Sequence, residues 1–178
     1  MNTANFEKVI TVLDDLQNAN IIQKYAIGGA FAAILHNEPI STIDLDVFFF
    51  LAEKSDSLVL SLEKIYEYAR QNDFSFDHEF INIYGWLVQF VEASHNDLWK
   101  EAIENADTIS IGDFGVPVIG REHLAAMWLF AGRAKDYQKI AMFWEAGILD
   151  VGNLLDILAR HNLAAKWDKE KWRFSTDE

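Results

Sequence analysis

A chain of 178 residues, 51% apolar and 13% aromatic with 24% charged, has the size and composition of one packed domain and excludes disorder for its bulk. Fifteen basic residues against 28 acidic ones leave a net charge of −13, which argues against duplex DNA as a partner because binding it depends on Lys and Arg releasing counterions. The absence of cysteine excludes disulfides, thiolate catalysis and cysteine zinc sites, and no apolar run approaches the length of a membrane span. With no basic segment leading into an apolar one at the N-terminus, the expectation is a cytoplasmic protein without a membrane partner.

In chain order, residues 5–19 read as an amphipathic helix with Phe6, Val9, Ile10, Leu13 and Leu16 on one face. Residues 25–27 form a short strand closed by Gly28 and Gly29, and residues 30–36 a helix of small residues. Residues 43–51 read as a strand; Val47 to Phe50 are four consecutive large apolar residues, which predicts a central strand buried on both faces. Residues 56–71 form a second amphipathic helix, with Leu58, Leu62, Ile65 and Ala69 inward. Two or more strands follow between 74 and 92, and a pair lies near 108–111 and 116–119. Helices are expected at 121–130, 135–144 and 150–160, and a loosely ordered charged tail at 166–178. The fold class is therefore α/β or α+β, a mixed sheet flanked by helices with a C-terminal helical cluster. The expected division is a core over residues 1–120 and a helical segment over 121–178 packed on it.

Side chains two apart on a strand share a face, roughly 6.6 Å apart at Cα, so Asp44 and Asp46 point the same way. Their mutual repulsion at an effective dielectric of 20 is on the order of 2–3 kcal/mol. Either they are solvated at the strand's exposed start, or a divalent cation such as Mg²⁺ reverses the sign of the interaction. Gly28 and Gly29, between a strand and a helix, are open to two readings as well. They permit a tight turn, or they let the backbone approach a phosphate at a helix N-terminus.

Taken together, the stretch from Tyr25 through Gly28, Gly29 and His36, followed by Ser41-Thr42-Ile43-Asp44-Leu45-Asp46, resembles the nucleotidyltransferase superfamily, with the AbiEii toxin-like minimal nucleotidyltransferases as the nearest group. A second element, Arg133-Ala-Lys135-Asp136, is similar to that group's Arg-x-Lys-Asp helix motif, and the resemblance spans roughly residues 20 to 145. It implies a fold of the nucleotidyltransferase type, Mg²⁺ or Mn²⁺ held by Asp44 and Asp46, and transfer of a nucleoside monophosphate from an NTP to an acceptor. Gly28, Gly29, Thr42 and Arg133 would contact the nucleotide, and Lys135 and Asp136 would join the two aspartates in catalysis. The setting implied is a toxin–antitoxin pair, with a cognate antitoxin or another protein as partner. The alternative is a degenerate member that binds a nucleotide or a protein without turnover.

The resemblance also marks departures. A third acidic residue is expected on a later strand, where Gln89 stands, with Glu92 as the only nearby carboxylate. A basic residue is absent before Thr42, Trp128 occupies a position that often carries Lys, and Lys139 replaces an acidic residue. The five histidines, 36, 78, 95, 123 and 161, show no metal-ligand spacing, and His36 reads as a helix cap. Trp128, Trp144, Trp167 and Trp172 read as aromatic core, and Asp14, Asp15, Glu101 and Glu104 as solvated surface. No Walker A loop, Ser-His-Asp arrangement or HExxH pattern is present.

Overall fold

The computed structural model describes residues 3–36, 42, 44–52 and 58–174. Helix α1 (Thr3–Asn18) leads to strand β1 (Ile22–Ile27), helix α2 (Gly29–Leu35) and strand β2 (Asp44–Leu51). Then come α3 (Leu58–Gln71), three strands β3 (Ser75–Asp77), β4 (Phe80–Ile83) and β5 (Trp86–Glu92), and helix α4 (Asp97–Glu104). The hairpin β6 (Asp107–Ile111) and β7 (Phe114–Val118) precedes helices α5 (Arg121–Ala131), α6 (Ala134–Glu145), α7 (Val151–Arg160) and α8 (Ala164–Glu170), closed by a 3-10 turn over Lys171–Arg173. Ile43, Pro39 to Ser41, Asp56 and the end of the tail from residue 175, all of which enter the sequence reading, lie outside the described residues.

The seven strands make one mixed sheet in the order β3-β4-β5-β2-β1-β7-β6, with β2 at its centre. It runs antiparallel to β1 and parallel to β5. Alternation along β2 divides its residues. Leu45, Val47 and Phe49 are fully buried, whereas Asp44 and Asp46 on the other face are partly exposed. The expectation of burial on both faces therefore holds for the far half of the strand only, where Phe48 is covered by Trp99 of α4 at a ring separation of 5.6 Å. The near half opens into a cleft.

Ring packing joins the layers. Phe6 of α1, Phe31 of α2 and Trp86 of β5 meet with centroids 4.9 to 5.5 Å apart, an arrangement that favours tilted and edge contacts. Helix α4 is an element the sequence reading did not include. Asn96 caps it, its side chain accepting from the Leu98 and Trp99 N–H groups, and Leu98, Ala102 and Ile103 are buried.

In the helical segment, His123 through Leu129 are all buried, so α5 is the core helix around which α6 and α7 pack. Trp128 meets Phe143 at 5.0 Å. The tail departs from the expectation of loose order. It is helical to Glu170 and continues as a 3-10 turn to Arg173, because Trp167 stacks on Phe174 at 5.5 Å and meets Trp144 at 5.8 Å, burying both Trp167 and Phe174. That apolar area outweighs the charged composition of the segment. Trp172 is the exception to the aromatic-core reading, being 66% exposed beneath the Arg173 guanidinium. Among the described residues no helix is long and apolar enough to cross a membrane.

Candidate active site

The cleft side of β2 opens into a cavity of about 570 Å³. Gly29, Thr42, Asp44, Asp46 and Gln89 line it from the sheet side, and Arg133, Lys135 and Lys139 from the helical side. Residues separated by almost a hundred positions in sequence thus face one another. Thr42 fixes the entry to β2 through its Oγ1, which accepts the Asp44 N–H at 3.2 Å.

The glycine turn is joined to the aspartates directly. The Gly28 N–H donates to the Asp46 carbonyl at 2.9 Å. Gly29 adopts φ +62°, a left-handed conformation that L side chains rarely occupy, and a Cβ there would overlap the Asp46 carboxylate. At Gly28 a Cβ would stand 2.5 Å from the Phe48 ring. Both glycines are therefore required by close approach, Gly28 to an aromatic wall and Gly29 to the carboxylate itself. Of the two, Gly29 lines the cavity. His36 ends α2 as expected of a cap, its ring nitrogen 2.9 Å from the Ile119 carbonyl, and stands apart from the chemistry.

Burial pushes the Asp46 carboxyl above the ordinary carboxylate range; the positive charges of Lys139, Arg133 and Lys135 oppose that rise and Asp44 adds to it. An acid in that position gains from a bound cation. Asp44 and Asp46 present hard oxygen donors of the kind Mg²⁺ or Mn²⁺ takes, and so fit a divalent ion. Among the described residues no group of three or more acidic, histidine or cysteine side chains could enclose one.

The register of the parallel pair explains that shortfall. Asp46 lies opposite Gln89 of β5, and Asp44 opposite Leu87. Gln89 is thus the neighbour of Asp46 on the cleft face, whereas Glu92 pairs with Phe49 at the far end of the strand. There its Oε1 accepts the Ser94 N–H at 2.8 Å, and its buried Oε2 has no hydrogen-bond partner among the described residues. Gln89, a neutral amide, occupies the place beside Asp46.

The Arg-x-Lys-Asp element straddles the start of α6. Asp136 is fully buried and does not face the cavity. Its carboxylate accepts from Arg133, from Nε at 2.6 Å and Nη2 at 3.2 Å, and from the Arg133 backbone N–H at 3.3 Å. This bidentate bond caps α6 and holds the guanidinium at the cavity rim, which raises the Arg133 pKa. Asp136 acts on the site through Arg133, while Lys135 faces the cavity directly.

Several lining groups escaped the sequence reading as site residues. Lys139 is one; Glu79 and Phe80 at the β3–β4 hairpin, and Trp99, Trp128 and Phe130 on the helical wall, are others. Phe130, at the C-terminal end of α5 just beyond the buried stretch, is 50% exposed. Lys139 and Trp128 carried a signal, as a lysine where the motif has an acid and a tryptophan where it often has a lysine. Glu101 overturns the solvated-surface reading. Its carboxylate binds Arg160 and His161 of the α7 end, at 2.5 and 2.7 Å, and His123 of α5 at 3.3 Å. Those partners hold its pKa down at about 2, Arg160 contributing most, and they tie α4 to α5 and α7. His123 and His161, distant in sequence, meet there on one carboxylate.

No family model matches the sequence, and no curated protein matches it. Similarity is found to solved structures. The antibiotic-resistance factor ANT(2'')-Ia aligns with a TM-score of 0.53 at 17% identity, covering 97% of this chain and 100% of the other. An antigenic nucleotidyltransferase-like protein from Paracoccidioides brasiliensis aligns with a TM-score of 0.50 at 16% identity, covering 93% and 90%. At these identities the likeness is one of fold: a mixed α/β sheet of the nucleotidyltransferase type.

Proposed function

We propose that this protein is a metal-dependent nucleotidyltransferase, moving a nucleoside monophosphate from an NTP to an acceptor nucleophile. The observation that carries the reading is the union of the Gly28-Gly29 turn with Asp46, in a cavity that also receives Asp44, Arg133 and Lys135. In such a transfer the acceptor oxygen gives up its proton to solvent and bonds to the α-phosphorus as the bond from that phosphorus to the pyrophosphate oxygen breaks, and pyrophosphate leaves with the electron pair. Positioning and charge neutralisation supply most of the catalysis. Asp44 and Asp46 are the residues that would hold Mg²⁺ or Mn²⁺, which when bound supplies Lewis-acid charge to phosphate oxygens.

The chain's own groups divide the remaining work. Gly29 brings backbone close enough for phosphate to lie against the aspartates. Arg133, braced by Asp136, and Lys135 neutralise phosphate charge from the helical side. Thr42 and Gly28 hold the β2 entry and the turn in register. The apolar wall of Trp99 and Phe130 offers flat surface for a base or an apolar acceptor. Membership of the AbiEii toxin-like group, with a cognate antitoxin as partner, is the biological setting we favour on the motif order Gly28-Gly29, Thr42-x-Asp44-x-Asp46, Arg133-x-Lys135-Asp136.

Incubation with each labelled NTP, Mg²⁺ and cell extract is expected to yield a labelled acceptor, and Asp46→Asn to abolish the label. No transfer from any NTP would refute the enzymatic reading. The register of Gln89 with Asp46 specifically favours a second reading, a nucleotide-binding module without turnover. Calorimetry showing NTP binding without product would establish it.

A further inference from the structure

Lys139 stands on α6 one turn beyond Lys135, and its side chain is only 17% exposed. Its Nζ lies over the Trp128 ring, 5.3 Å from the centroid, and 3.8 Å from Asp136 Oδ1. The latter distance is too long for a hydrogen bond, and the Asp136 carboxylate is already engaged by Arg133 through both oxygens. Among the described residues the Lys139 ammonium makes no hydrogen bond, though it can donate three. It nonetheless lines the cavity that holds Gly29, Asp44, Asp46 and Gln89. Asp136 is its ion-pair partner at 3.8 Å, yet the donors stay unspent, which destabilises a half-buried ammonium unless a further anion accepts from them.

The charges around it say which anion. With Gln89 beside Asp46, the lining carboxylates are Asp44, Asp46 and Glu79 and the lining cations Arg133, Lys135 and Lys139. Asp136, from behind the wall, answers the Arg133 charge, and a cation between Asp44 and Asp46 would occupy theirs. Of the lining charges Lys135, Lys139 and Glu79 then remain, a net of one positive charge, and the positive groups lie on α6. The Trp128 face keeps the ammonium at that position through cation–π attraction and packing of its stem.

We propose that Lys139 is a substrate-binding residue that holds the polyphosphate of the nucleotide, donating to non-bridging phosphate oxygens from the α6 wall of the cavity. This rests on the nucleotidyltransferase reading and deepens it. It assigns to α6 positive charge that a third carboxylate and a further metal ion would otherwise bring.

The test is calorimetric binding of inorganic triphosphate, and of ATP, GTP, CTP and UTP in turn, in Mg²⁺ at several salt concentrations. Lys139→Met keeps an unbranched stem over Trp128 and removes the charge; Lys139→Arg keeps the charge. Wild type is expected to bind triphosphate and at least one nucleotide. Lys139→Met should bind both at least tenfold more weakly with a shallower salt dependence, and Lys139→Arg should recover most of the affinity. Lys139→Gln serves if circular dichroism shows the methionine variant unfolded. Equal affinity and salt dependence in Lys139→Met overturn the proposal while leaving the enzyme reading intact. So does an Arg variant as weak as the Met variant, since packing rather than charge would then be at stake. A wild type that binds none of the five probes overturns both.

Discussion

Replacing Gln89 by aspartate tests the reading of the metal site through stability as well as binding. Gln89 and Asp46 are opposite one another on parallel strands, and adjacent strands lie about 4.8 Å apart. Two carboxylates at about 5 Å repel by roughly 3 kcal/mol at an effective dielectric of 20, and Asp44, two residues along, adds on the order of 2 kcal/mol. Arg133, Lys135 and Lys139 across the cavity, together with proton uptake by Asp46, relieve part of this. A net loss of about 1–3 kcal/mol in metal-free buffer is the expectation. In a chain of this length about 1 kcal/mol moves the melting temperature by roughly 2–4 °C, so Gln89→Asp in EDTA should melt about 2–12 °C below wild type. Adding Mg²⁺ or Mn²⁺ should recover the loss, because the ion converts three repelling carboxylates into ligands. Calorimetric titration of Mn²⁺ should show affinity at least tenfold tighter than wild type, about 1.4 kcal/mol. The reasoning is refuted if Gln89→Asp melts with wild type in EDTA and binds Mn²⁺ with the same affinity. Glu92→Gln should leave metal affinity unchanged, since Glu92 lies at the other end of β2.

Gly29→Ala should cost about 1–3 kcal/mol by denaturant titration, from the left-handed backbone and from displacement of the Asp46 carboxylate, and should weaken Mn²⁺ binding in parallel. Loss of stability with metal affinity intact would show that the turn does not support Asp46. Asp136→Asn should lower stability by about 2 kcal/mol and weaken triphosphate binding, because Arg133 loses its bidentate anchor; unchanged binding would detach Arg133 from the site. Glu101→Gln should destabilise by about 1–2 kcal/mol at neutral pH, leaving Arg160, His161 and His123 without their shared anion. The folded-state pKa of Glu101 lies below its ordinary value of 4.5, at about 2. Its contribution is therefore complete above pH 4.5 and is lost as pH falls toward 2, so the gap between variant and wild type should close over that window. A gap that stays constant across it would refute the ionic account.

Local chemistry made much of this protein legible in its sequence. A run such as Val47 to Phe50 has no stable place except the centre of a sheet, and helical periodicity located α1, α5, α6 and α7 because burial follows the 3.6-residue repeat. The Gly28-Gly29 turn and the Asp44, Asp46 pair were visible because each departs from what a purely structural strand or turn needs. What the sequence could not say was which distant segments share a face. The choice between Gln89 and Glu92 depends on strand register, and a register is set by the packing of whole strands rather than by any residue on them. Glu101, read as surface, became the meeting point of α4, α5 and α7 only when the helices crossed. The tail was ordered by Trp144 and Tyr137, more than twenty residues upstream, which outweighed its own charged composition. Lys139 joined the cavity for the same kind of reason. Position on α6 placed it near the motif, but the Trp128 ring of a neighbouring helix decided where its charge would rest. Patterning along the chain specifies what each segment must bury; only the assembled sheet and helices specify what each segment faces.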